Sequence, residues 1–167
     1  MATSAGTGKS WLLTKIIWRL QDMGRRVQVT AATGIAAIPL GGTTLHRFGG
    51  IGLGKLALQE TWLQLVAKPA KVKVLRATQV LVVDEVSMTD GAYFSLLDAI
   101  LRRARDEPDR PFGGLQQLIV CGDFFQLPPV DDGAAFAFET GAWAELFTDR
   151  RNVVVLNNQH RQTLATS

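Results

Sequence analysis

The sequence predicts an α/β domain with a mostly parallel sheet flanked by helices. Three observations carry that reading. Short apolar runs rich in β-branched residues alternate with segments whose apolar residues recur at helical spacing. One run, Val80-Leu81-Val82-Val83, is continuously apolar, as a strand buried on both faces of a parallel sheet requires. No Pro-, Gly- or Ser-rich linker divides the chain, so residues 1–167 read as one domain.

The elements follow in order. Leu12, Leu13, Ile16, Ile17 and Leu20 define a first amphipathic helix, stopped near Gly24. Val27 to Ala31 reads as a strand, followed by a turn at Thr33-Gly34 and a glycine-rich stretch from Gly41 to Gly54. Leu58, Trp62, Leu65 and Val66 give a second helix, expected to close near Pro69. After the strand Val80–Val83, Tyr93, Phe94, Leu97, Ile100 and Leu101 form a third helix, ended by Arg102, Arg103, Arg105 and then Pro108. A second buried strand is expected from Leu115 to Cys121, then a short helix around Trp143 to Phe147 and a strand at Val153 to Leu156.

Composition narrows the classes. A chain of 167 residues, 47% of them hydrophobic, can bury a sizeable core. A formal net charge of +3 is compatible with a nucleic-acid partner without indicating one. Cys121 is the single cysteine, which excludes an intrachain disulfide and reads as a reduced core thiol. No apolar run approaches the ~18 residues of a membrane span, and the first residues lack a signal-peptide apolar region.

Three segments could carry chemistry. The first is Gly6-Thr7-Gly8-Lys9-Ser10, immediately before the first helix. Glycines there let backbone N–H groups converge on phosphate oxygens, with the positive end of the helix behind them. Lys9 would neutralise the β- and γ-phosphates, and the Ser10 hydroxyl would ligate Mg²⁺. Thr3 stands where the leading glycine of the usual G-x-x-x-x-G-K-[ST] pattern falls. The second is Asp84-Glu85, at the C-terminal mouth of the apolar strand, where ligands of open α/β sheets bind. Asp84 would hold Mg²⁺, and Glu85 would orient and deprotonate the attacking water. The third is the loop from Gly122 to Val130, in which Gln126 could reach the γ-phosphate of ATP.

The wording and order of these segments resemble the PIF (petite integration frequency) family of superfamily 1 DNA helicases. The resemblance rests on "SAGTGKS", "TAATGIAA", "GGTTLHRFGGIG", "VLVVDEVSM", "GDFFQLPPV", the intervening "FSLLDAILRRARDEPDRPFGGLQQLIV", and "LNNQHRQ" near the end. It implies a RecA-like P-loop domain, the first of two motors that couple ATP hydrolysis to 5′-to-3′ movement on single-stranded DNA. It puts Gly6, Gly8, Lys9 and Ser10 on the phosphate loop, Asp84 and Glu85 on the Mg²⁺- and water-handling positions, and Gln126 on the γ-phosphate sensor. It matches Arg161 to an arginine that touches the γ-phosphate, where guanidinium stabilises charge on the transferring group.

The resemblance also assigns single-stranded DNA to Thr33, Thr44 and His46 through phosphate contacts, and to Phe48 through stacking. Each residue has a structural alternative: Thr44 as a turn cap, His46 on a backbone carbonyl, Phe48 in the core. Arg102, Arg103 and Arg105 read as charges suited to a helix end, with a DNA patch as the other possibility. The family carries a strand ahead of the phosphate loop, whereas only Met1 to Ala5 precede Gly6, so the sheet is expected to lack that central strand. The second motor is likewise expected to be absent. The chain is thus expected to be a fragment of an intracellular helicase (nuclear or mitochondrial if eukaryotic), or a non-catalytic remnant that binds nucleotide or DNA.

Overall fold

A computed structural model describes residues 2–3, 7–123, 129, 133–147, 149 and 152–156 of the chain. Its strands are β1 (Ala2–Thr3), β2 (Val27–Ala31), β3 (Thr43–Thr44), β4 (Val80–Asp84), β5 (Gln117–Val120) and β6 (Val155–Leu156). Its helices are α1 (Lys9–Asp22), α2 (Gly34–Ala37), α3 (Leu45–Gly49), α4 (Leu58–Val66), α5 (Pro69–Ala77), α6 (Gly91–Arg105) and α7 (Gly141–Phe147). Four strands form one parallel sheet in the order β3-β2-β4-β5. β1 and β6 pair, also in parallel, as a separate two-stranded sheet. Among the described residues the strands thus form two sheets, and two residues ahead of the phosphate loop have strand geometry.

β4 lies at the centre because all five of its residues are buried. Its alternating side chains serve two cores, as the period of two dictates. Val80 and Val82 join Leu13 and Ile17 of α1, Val29 of β2 and Cys121 on one face. Leu81 and Val83 join Phe94, Leu97, Ile100 and Leu101 of α6, with Leu65 of α4 and Leu75 of α5, on the other. The result is a helix–sheet–helix sandwich. Under α6 the rings of Phe94, Phe112 and Trp143 meet with centroids 5.0 and 5.9 Å apart, in tilted pairings that aromatic quadrupoles favour.

Several local expectations are corrected. Pro69 does not simply close the second helix but opens α5, occupying the first turn, where its missing N–H costs nothing. The glycine-rich stretch from Gly41 to Gly54 holds β3 and α3. Thr33-Gly34 is not a bare turn: Thr33 N-caps α2, its Oγ1 accepting from the Ala36 N–H at 3.3 Å. β5 is shorter than expected and only partly buried, because it forms the edge of its sheet.

The arginines ending α6 are structural ties. Arg102 forms an ion pair with Asp98 at 2.8 Å and reaches Glu145 of α7 at 2.7 Å. Arg105 donates to the carbonyls of Arg76 and Thr78 at 2.9 and 2.7 Å, closing α6 onto the α5–β4 connection. Among the described residues no helix is long and apolar enough to cross a membrane.

Phe94 is 0% exposed at the junction of α6, α7 and the Phe112 turn. Phe94→Ala should therefore cost about 3–5 kcal/mol, whereas Val74→Ala, at a surface position 38% exposed, should stay within about 0.5 kcal/mol. Urea unfolding followed by tryptophan fluorescence reads both, and equal midpoints for the two variants would contradict this packing.

Candidate functional site

The phosphate-loop segment ends at the start of α1. Gly8 adopts φ +84°, a left-handed conformation that glycine takes freely and other residues resist. It N-caps α1 with no side-chain hydrogen bond, so the first-turn N–H groups of the helix lack a side-chain acceptor there. Lys9 opens the helix and donates from Nζ to Glu85 Oε1 at 2.9 Å, the two side chains being 12% and 25% exposed. Thr7 is buried, and Ser10, the second residue of α1, is exposed.

The acidic half comes from the end of β4. Asp84 is the last strand residue and 4% exposed, with Oδ1 accepting from the Glu85 N–H at 2.9 Å. Burial raises its pKa above the ordinary carboxylate value, and the charge of Glu85 adds to this. The Glu85 N–H and the Lys9 charge act in opposition. Glu85 turns out of the strand at φ +52°, an uncommon conformation for a residue with a side chain. That turn aims its carboxylate at Lys9. Burial pulls the Lys9 pKa down, but the hydrogen bond to Glu85 and the charges of Glu85 and Asp84 outweigh it, leaving the ammonium above its usual value.

β5 completes the wall. Val83 pairs with Val120, which sets Cys121 beside Asp84. The Cys121 thiol is fully buried and its pKa is pushed up to about 12, first by burial and then by the Asp84 charge. It is a protonated core thiol, as expected. The Val86 N–H donates to the Cys121 carbonyl at 2.9 Å. A Cβ on Gly122 would stand 3.1 Å from Val86 Cγ1 and 3.2 Å from the Ser87 N atom, so glycine is what lets the two strand ends close. The signal in the sequence that locates Cys121 here is the register of its strand against Val80–Asp84.

Parallel pairing brings the second group of candidates to the same edge. Thr44 pairs with Ala31, and Ala31 pairs with Asp84, so three strands present Thr44, Ala31 and Asp84 in one row. Adjacent strands lie about 4.8 Å apart. Thr44 caps α3, its Oγ1 accepting from the Arg47 N–H at 3.1 Å. Thr33 and Thr44 thus both use their oxygens as cap acceptors, and a hydroxyl that accepts in this way can also donate. His46 is partly buried with its ring 4.2 Å from that of Tyr93, and burial lowers its pKa. Phe48 is the exception. At 2% exposure it belongs to the core under β4 and offers no stacking face. Gly6, Gln126 and Arg161 lie outside the described residues.

Comparison with known proteins bears on the family and the fold. The family model described as PIF1-like helicase matches residues 1–165. The chain is 47% identical to the ATP-dependent DNA helicase PIF1 of Emericella nidulans, an alignment covering 95% of this chain and 22% of that protein. The crystal structure of Pif1 helicase from Candida albicans superposes with a TM-score of 0.89 at 42% identity, over 96% of this chain and 36% of that one. A Bacteroides Pif1 helicase in complex with ADP-AlF3 and ssDNA matches with a TM-score of 0.72 at 32% identity, over 97% of this chain and 38% of that one. The chain spans about a fifth of the length of the curated relatives it matches.

The raised Asp84 pKa has a consequence for stability. A carboxylate whose pKa is higher folded than unfolded destabilises the fold once pH exceeds the unfolded value, and the loss grows until pH passes the folded value. Asp84→Asn keeps an oxygen for the Glu85 N–H and removes the buried charge. It should therefore raise the melting temperature at neutral pH, with the gain shrinking as pH is lowered through the window between the two values. A melt against pH decides it, and a variant less stable than wild type at pH 7 would refute the account.

Proposed function

The chain belongs to the PIF1-like helicase family, and we propose that it supplies the ATP site and part of the DNA-facing edge of an ATP-dependent, 5′-to-3′ DNA helicase. The observation that carries this reading is the convergence of Lys9, Asp84 and Glu85 at the mouth of the sheet, with Lys9 and Glu85 2.9 Å apart. Unwinding itself belongs, in this reading, to a longer protein with a second motor domain. Its setting is intracellular, where ATP and DNA are found.

The chemistry follows from what each group can do. Lys9 is charged and held at the first residue of α1, so it can leave Glu85 for the β- and γ-phosphates of ATP, which are stronger anionic partners. The N–H groups at the start of α1 then receive phosphate oxygens. Release of Lys9 frees the Glu85 carboxylate to orient a water and take its proton during attack on the γ-phosphorus. The strained turn at Glu85 fixes that carboxylate at the strand mouth, where such strain is commonly found at active sites.

A hard divalent cation fits the donors present: Asp84 and the Ser10 hydroxyl are the oxygen ligands Mg²⁺ accepts, and Mg²⁺ commonly takes few from protein. Bound there, the ion would neutralise charge on the phosphate oxygens. Gln126 and Arg161 are assigned, from their positions in the sequence, to sensing and stabilising the γ-phosphate. Thr33 and Thr44, through their hydroxyl protons, and His46 are assigned to the phosphates of single-stranded DNA.

Two variants separate binding from chemistry. Mg²⁺-nucleotide binding to the folded state should raise the melting temperature, worth about 2.7 kcal/mol at a hundred times Kd, and Lys9→Ala should abolish that rise. Glu85→Gln should keep most of the rise while phosphate release falls by about 10²- to 10⁴-fold. Equal turnover in wild type and Glu85→Gln would remove Glu85 from the reaction. A wild-type melt unmoved by nucleotide would instead identify the chain as a non-catalytic remnant.

A further inference from the structure

The face of the molecule formed by α4 and α5 carries features that the nucleotide site does not use. A groove of about 490 Å³ runs between the two helices, lined by Trp62 and Val66 of α4 and by Pro69 and Val72 of α5, with Lys73 and Arg76 along one side. This volume lies in the range of clefts that take ligands. Of its apolar lining, Val66 is 51% exposed. Trp62 is held in place by the Arg103 guanidinium, 5.2 Å from the ring centroid, and Arg103 is itself anchored to Gln59 at 2.8 Å.

The charged side chains that line this groove, Lys73 and Arg76, are both cationic, while Glu60 sits in the first turn of α4 outside the lining. Residues 61–83 contain Lys68, Lys71, Lys73 and Arg76 and not a single Asp or Glu. Among the described residues, neither Lys73 nor Arg76 has a carboxylate within ion-pair distance.

We propose that the α4–α5 groove is a docking site for an acidic amphipathic peptide segment of a partner protein. Apolar side chains at helical spacing seat on Trp62, Val66 and Val72, while flanking Asp or Glu residues meet Lys73 and Arg76. This is the helix-in-groove mode of recognition. A single strand of nucleic acid fits less well, because it needs a succession of stacking faces. The groove offers one ring, and Arg103 already covers part of it.

Fluorescence anisotropy on the intact chain tests this with a labelled peptide bearing Leu at i, i+3 and i+7 and Asp or Glu between them. The control is the same peptide with Lys and Arg replacing the acids. The acidic peptide should bind at least about tenfold more tightly than its basic counterpart, and more weakly as salt rises. Val66→Asp should weaken it about tenfold and Lys73→Glu severalfold, both at exposed positions and with melting temperatures close to wild type. Equal affinity for the two peptides overturns the proposal. So does an acidic peptide that fails to bind while an oligo-dT binds and loses affinity in Lys73→Glu, since the groove is then a nucleic-acid surface.

Discussion

Every functional feature of this molecule hangs on the burial of one five-residue strand. β4 has helices on both faces and strands on both edges, so its backbone is fully paired and its side chains are fully packed. Four apolar side chains at 0–1% exposure contribute roughly 1.5–3 kcal/mol each. That stabilisation is what carries Asp84 into surroundings that penalise its charge. A carboxylate placed there for general structural reasons would be a poor choice, since burying an ionised group is costly unless it is paired. The cost is offset in part by the Glu85 N–H and by the charge of Lys9.

The same strand answers how the phosphate loop is held. Among the described residues, β1, two residues long, lies ahead of the loop and pairs with β6 rather than with the main sheet. An apolar cleft of about 250 Å³ lies along β5, lined by Ile16, Ile119, Trp143, Phe147 and Val153 among others. Support for Lys9 therefore comes from behind. Leu13 and Ile17 of α1 are 0% and 3% exposed against Val29, Val80, Val82 and Cys121. Anchored one and two turns past the loop, α1 keeps its first residue within 2.9 Å of Glu85. The helix behind the phosphate loop thus anchors it through these two buried residues.

What the sequence revealed and what it hid follow from how each element is stabilised. β2, β4 and α6 were legible because their burial leaves a direct trace, a continuous apolar run or a helical stripe. The pairing of Lys9 with Asp84-Glu85 was legible because a glycine-rich loop and a strand-end acidic pair each need few residues to declare their chemistry. β3 and α3 were hidden among glycines between Gly41 and Gly54, where composition argues for loop and tertiary contacts decide otherwise. Thr44 preceding Leu45 was the available signal, a capping residue just before an apolar one. Phe48 was assigned to DNA from its place in a motif, but a ring at that position of a short helix under the sheet has the core as its nearest apolar surroundings. β5 was read as doubly buried because its apolar residues cannot report that one of its edges lacks a neighbour.

The register of the sheet also ties the two halves of the site together mechanically. Thr44, Ala31 and Asp84 stand in one row across three strands, and the Ala32 N–H donates to the Asp84 carbonyl at 3.1 Å. Thr33 follows Ala32 directly and caps α2, while Thr44 begins the turn into α3. A change in backbone at Asp84-Glu85 therefore lies one hydrogen bond from the segment that orients Thr33. The Glu85 turn, at φ +52°, is the natural place for such a change, since its conformation is held by its surroundings rather than preferred by the residue. Under the proposed function, exchange of Lys9 from Glu85 to a phosphate would remove one of the contacts that hold it. The proposed ATP site and the proposed DNA-facing edge would then need no long pathway between them, because neighbouring parallel strands of one sheet carry both.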